Sequence, residues 1–135
     1  MFFPLIKKSW PVILVSKKLS MSNTRAQEGL IKAFLSNNPS YGLINSWSEL
    51  ESQVGDQIDL DFKQSKNKQI IEACSEKLCL SKSNRNRLRR ISQKRNGVAH
   101  AIGEYSPPNW NDVLFVLRVS KKYRKRNEYD TKYDD

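Results

Sequence analysis

A chain of 135 residues with 38% apolar and 10% aromatic content has room for one small folded domain and a modest core. Its formal charge of +10 points to a polyanionic partner, because Lys and Arg neutralise phosphates and release counterions. Two cysteines, Cys74 and Cys79, exclude a disulfide-dense secreted scaffold and are too few for a structural zinc site, so a reduced cytoplasmic setting is expected.

The first residues, MFFPLIKKSWPVILVSKKLS, carry an apolar stretch broken by Lys7, Lys8 and Pro11, with no small-residue cleavage site after it. No apolar run reaches the roughly 20 residues that span a bilayer, so no membrane association is expected. Met21 opens an ordinary start, MSNTRAQEGL, and residues 1–23 read either as an upstream extension or as an arm packed on the domain.

From Thr24 the pattern is helical. Thr24 and Gln27 have capping-box spacing, and Leu30, Ala33 and Phe34 form an apolar face. Residues 37–42, NNPSYG, read as a loop by composition. A second helix is predicted from Ser46, with Ile44, Trp47, Leu50 and Val54 on one stripe. Ile58 to Phe62 alternate like an extended connector, and Asp59 and Asp61 lack companions for a metal site. A third helix is predicted over Asn67 to Leu80, where Ile70, Ile71, Cys74 and Leu78 share a stripe and bury the Cys74 thiol. The fourth, Asn84 to Ala101, repeats Leu88, Ile91, Val98 and Ile102 at bundle spacing. The fifth, Trp110 to Lys125, turns Val113, Leu114, Val116 and Leu117 inward, and residues 127–135 read as a polar tail. An all-α bundle of four to five helices follows, with its domain over residues 24–126. Trp10, Trp47 and Trp110 read as core anchors rather than stacking surfaces.

The fourth helix contains an anomaly. Its buried stripe passes through position 95, where a leucine belongs and an arginine stands. Such an arginine must be paired, must snorkel, or must face a cleft. Gly97 adds a helix-weakening residue nearby, and His100 is the one histidine of the chain. At about 100° per residue, Arg95 and His100 point roughly 140° apart, whereas Asn96 and His100 share a face. A second copy of the helix, related by a two-fold axis, would bring the guanidinium of one chain to the imidazole of the other.

The chemistry suits RNA cleavage. Imidazole can take the proton of a ribose 2′-hydroxyl, whose oxygen then attacks the adjacent phosphorus without a metal or an enzyme nucleophile. A fixed guanidinium matches the charge that develops on the phosphate oxygens. Asn96 can orient the imidazole or hold a phosphate oxygen. A lone histidine is more often incidental, so the spacing by itself is a weak motif.

The longer string RLRRISQKRNGVAHAIGEYSPPNWNDV resembles the signature helix and turn of the HEPN superfamily, all-α domains of bacterial toxins and antiviral ribonucleases. The family's arginine, polar residue and histidine stand here as Arg95, Asn96 and His100, with Gly97, Val98 and Ala99 between. The resemblance is firm over about residues 85–118. It implies a four-helix bundle, a homodimer through the signature helix, and metal-independent endoribonuclease activity leaving 2′,3′-cyclic phosphate and 5′-hydroxyl ends. It also implies no cofactor, and an antitoxin or defence-system protein as a further partner. Where toxins of this kind often carry a tyrosine two residues past the histidine, this chain has Ile102, with Tyr105 three further on. That places control by tyrosine modification in doubt.

Two basic clusters complete the reading. Lys82, Arg85, Arg87, Arg89, Arg90 and Lys94 lead into Arg95 with no acid among them. Arg118, Lys121, Lys122, Arg124, Lys125 and Arg126 form the second, with Tyr123 interleaved as a candidate stacking platform. Both are expected to track the phosphates of RNA.

Overall fold

The helices of this chain begin where short polar side chains cap them. In the computed structural model, which describes residues 21–55, 58, 65–100 and 106–133, five α-helices occur in sequence and no strand is found among the described residues. Helix α1, Thr24–Leu35, is capped by Asn23, whose Oδ1 accepts from the Ala26 N–H at 3.0 Å. The cap therefore lies one residue before the expected Thr24 box.

Helix α2, Pro39–Val54, overturns the loop expected at residues 37–42 and the start expected at Ser46. Asn38 Oδ1 accepts from the Tyr41 N–H at 3.0 Å, and Pro39 occupies the first helical position. Proline lacks an N–H that would be an orphan there anyway, so Asn-Pro is a start signal and not a break. The turn into it uses Asn37 at a φ of 50°, a conformation asparagine tolerates better than most residues.

Helix α3, Lys66–Leu78, is capped by Ser65 and closed by Cys79 in a left-handed conformation, two residues before the expected end. Helix α4, Lys82–His100, has its first turn held by Ser81 Oγ, which accepts from the Asn84 N–H at 3.1 Å. Helix α5, Trp110–Tyr133, opens with a reciprocal cap: Asp112 N–H donates to Asn109 Oδ1 at 2.9 Å, and Asn109 N–H donates to Asp112 Oδ2 at 3.0 Å.

Residues 127–133 continue α5 and are not a separate tail. Pairs four residues apart support the extension, Arg124 with Glu128 and Arg126 with Asp130, while Lys77 of α3 reaches both Asn127 and Asp130. The basic cluster at 121–126 thus sits within the helix and not at the end expected at Lys125.

Helix α2 is the hub and packs on all four others. Trp47, Leu43, Leu50 and Val54 are fully buried, joined by Leu30, Ile70, Cys74, Leu88, Ile91, Val113, Val116 and Leu117. Two close approaches explain glycines. A Cβ at Gly29 would lie 2.0 Å from Asn45 Oδ1, and one at Gly42 would lie 2.9 Å from the Trp110 ring. Trp110 also stacks on Phe34 with ring centroids 4.4 Å apart and donates to Asn37 Oδ1 at 2.9 Å. Trp47 and Trp110 thus act as anchors, while Trp10 lies outside the described residues.

The carboxylate of Glu49, buried on α2, accepts from the Ser22 N–H at 2.8 Å and the Asn23 N–H at 2.9 Å, tying the start of α1 to the hub. The connector carrying Asp59 and Asp61, residues 1–20 of the arm, and Ala101 to Tyr105 lie outside the described residues. Among the described residues no helix is long and apolar enough to cross a membrane.

Candidate functional site

Helix α4 docks on the core through Leu88 and Ile91, and its last turns are half-buried or exposed. Val98, expected on the seam, is half-buried, and Ile102 lies outside the described residues. Arg95 is also half-buried. Its Nε is shielded from solvent and has no partner among the described residues. Its Nη1 contacts Asn96 Oδ1 at the long distance of 3.5 Å. The arginine on the buried stripe therefore snorkels past the core edge and meets its own neighbour.

Asn96 is held more firmly from the other side. Its Oδ1 accepts from Asn67 Nδ2 at 2.8 Å, and Asn67 Oδ1 accepts from the Trp47 indole Nε1 at 3.1 Å. The indole, buried in the hub, has only a donor to offer, so the Asn67 carboxamide must turn its oxygen to it and its nitrogen to Asn96. Asn96 then presents its oxygen inward to two donors, which leaves its amide nitrogen free to donate outward. A chain of hydrogen bonds thus runs from the core to the candidate site: Trp47, Asn67, Asn96, Arg95.

His100 ends α4 and is exposed, with no hydrogen bond or ion pair among the described residues. It lies four residues beyond Asn96 on the same stripe, and no bond joins it to Arg95 within the chain. Along that stripe towards the start of α4 lies a groove of about 370 Å³ between α3 and α4, walled by Arg85, Arg89, Gln93 and Asn96 on α4 and by Asn67, Lys68 and Glu72 on α3. Among the described residues, neither Arg85 nor Arg89 forms an ion pair, and Arg85 Nε is shielded and unpartnered.

The even basic surface expected from the sequence breaks up. Lys94 donates to the buried Asp112 at 2.9 Å and clasps α4 to the start of α5, so it is not available to a phosphate. The guanidinium of Arg87 lies 4.3 Å from the Phe115 ring centroid, held between the same two helices. Arg90 is exposed on a face away from the groove. On α5, Lys122 is exposed, Lys121 is half-buried, and Arg124 faces Glu128 at 3.7 Å.

Tyr123 is no stacking platform. It is fully buried against α3, with Lys77 5.3 Å from its ring centroid. Burial, together with the neighbouring Cys74 thiol, pushes its phenol up to about 12, and burial does the same to Cys74 itself. The expected burial of Cys74 holds; Cys79 is exposed.

Sequence reasoning missed Asn67. An asparagine two residues after a serine cap carries no signal of its own, and its partner is 29 residues away. Among the described residues no group of His, Cys, Asp and Glu gathers in a way that could hold a metal ion. Comparison with family models, with curated proteins and with solved structures finds no match to this chain.

Proposed function

We propose that the chain is a metal-independent endoribonuclease of the HEPN type, acting in the cytoplasm as a toxin or an antiphage-defence enzyme and working as a homodimer through α4. His100 takes the proton of a ribose 2′-hydroxyl. The 2′-oxygen bonds to the adjacent phosphorus, the bond from phosphorus to the 5′-oxygen breaks, and the leaving oxygen collects a proton, giving 2′,3′-cyclic phosphate and 5′-hydroxyl ends. The Arg95 guanidinium meets the charge that builds on the phosphate oxygens. The outward amide of Asn96 holds one of those oxygens.

The observation that carries this reading is the chain of bonds from Trp47 through Asn67 to Asn96 and Arg95. Polar side chains tied to the core by a buried indole are costly ornaments on a surface helix, and they suit a site that must hold its donors in place. Arg95 and His100 lie on different faces, which suits a site completed by a second copy of α4. An antitoxin or another defence protein is the partner that would restrain such an activity.

Incubating the purified chain with labelled RNA in EDTA tests the reading. Cleavage with cyclic-phosphate ends is expected, falling by about 100-fold or more in His100→Ala and Arg95→Ala while thermal melting stays unchanged. A chain that is monomeric at micromolar concentration contradicts the composite site. The second reading is a module that binds RNA without cutting it. It is favoured by the absence of a bond between Arg95 and His100 within one chain, and a parent protein that binds RNA and leaves it intact would establish it.

A further inference from the structure

The α3–α4 groove has features that the cleavage chemistry does not use. Two arginines without ion-pair partners, Arg85 and Arg89, sit one helical step apart on its α4 wall, at about 6 Å of axial rise. Four and seven residues further along come the carboxamides of Gln93 and Asn96, and His100 continues the same stripe just beyond the groove. The opposite wall adds Lys68 and one carboxylate, Glu72, which forms no ion pair with any described residue.

A plain phosphate site would not place an unpaired carboxylate opposite its arginines. A nucleotide accounts for both charges. Its phosphate takes the guanidinium groups, and the exocyclic amino or ring N–H of its base gives a carboxylate a donor. The amide of Gln93 supplies a further hydrogen-bonding group for a base edge, and the groove is of a size used for small ligands. Only an unpaired base has its Watson–Crick edge free to enter, because pairing commits that edge.

We propose that the α3–α4 groove is a nucleotide-recognition subsite for single-stranded RNA, in which Arg85 and Arg89 hold a backbone phosphate and Glu72 and Gln93 read the unpaired base next to the bond presented to His100. The identification of the strand as RNA rests on the ribonuclease reading, while the groove's preference for an unpaired nucleotide comes from its own lining. The subsite makes the enzyme selective for loops and unpaired ends over duplex, and biased towards guanine, whose adjacent N1–H and N2 amino donors match the two oxygens of a carboxylate.

Binding measured on the His100→Ala chain separates this subsite from catalysis. By fluorescence anisotropy, a labelled single-stranded RNA oligonucleotide should bind at least about tenfold tighter than the same strand annealed to its complement. Arg85→Ala and Arg89→Ala should each weaken single-strand binding by about tenfold and lower the salt slope by about 0.7. Arg25→Ala, exposed on α1 and outside both basic clusters, should leave both unchanged. Glu72→Gln should alter the ranking of homopolymer oligonucleotides while circular dichroism shows the fold intact. Equal affinity for duplex overturns the proposal, as does unchanged binding in both groove arginine variants. If the parent chain never cuts RNA but these binding differences appear, the ribonuclease reading fails and the subsite stands.

Discussion

Helices α2 and α4 are both amphipathic, but they are used in opposite ways. Of the 16 residues of α2, eight are buried, among them the polar Asn45, Ser46 and Glu49; of the 19 residues of α4, only Leu88, Ile91 and Ser92 are. One helix is enclosed by its neighbours, while the other is fully buried over only about one turn and half-buried or exposed elsewhere. A residue's role in this molecule therefore depends on which helix holds it. Polar groups on α2 satisfy the fold, whereas on the last turns of α4 Lys94 and Asn96 bond to neighbouring helices and His100 is exposed. Asn67 joins the two regimes, with its oxygen on the Trp47 indole and its nitrogen on Asn96.

Changes on the two sides should separate stability from function. Trp47→Ala removes the largest side chain of the hub and should cost about 3–5 kcal/mol, read as a large drop in the chemical-denaturation midpoint. Stability should also fall as pH rises above about 9. The Cys74 thiol and the Tyr123 phenol both titrate near 12 in the folded chain, so the unfolded state loses their protons first. For the thiol each pH unit between 9 and 12 favours unfolding by up to about 1.4 kcal/mol, and Cys74→Ala should flatten that part of the profile. A profile that stays level from pH 8 to 11 would contradict the packing around α3 and α5.

Asn67→Leu should act on both sides. It strands the indole N–H and should lower stability by about 1–3 kcal/mol, and it releases Asn96 so that RNA cleavage falls further than the stability loss explains. Asn67→Ser, short but polar, should recover stability before activity. Lys94→Met should have the smallest effect, about 1–2 kcal/mol, because the buried Asp112 carboxylate loses the clasp but keeps the Asn109 N–H. Its affinity for RNA should match the parent within about twofold, because this lysine is engaged within the fold. A loss of RNA affinity as large as that of Arg89→Ala would return Lys94 to the binding surface.

Much of the architecture was legible in the sequence because burial repeats at helical spacing. Leu88 and Ile91, Trp47 and Leu50, and Val113 and Leu117 announce their stripes, and the arginine at position 95 stands out against one of them. The misread starts have a local cause. Asn38-Pro39 is both a loop composition and a helix beginning, and only the bond from Tyr41 to Asn38 distinguishes the two. Tyr123 was misplaced because its immediate neighbours are basic. Counted by threes and fours from Val113 through Val116 and Ser120, it falls on the inner face, and all four are buried. The division of the first basic run into groove, clasp and outer face depends on which helix lies opposite each residue, and no period within α4 encodes that. Asn67 and Asn96 meet across 29 residues, and neither local sequence shows the other.

The bond between Trp47 and Asn67 gives the molecule an optical reporter of its own. Trp47 is sealed from water, so its emission should lie at short wavelength, and its N–H is two hydrogen bonds from the amide that faces the groove. In a chain carrying Trp10→Phe and Trp110→Phe, this is the sole indole and can be excited apart from the tyrosines. Any strand that engages Asn96 should then register as a change in its fluorescence, with no label on either partner.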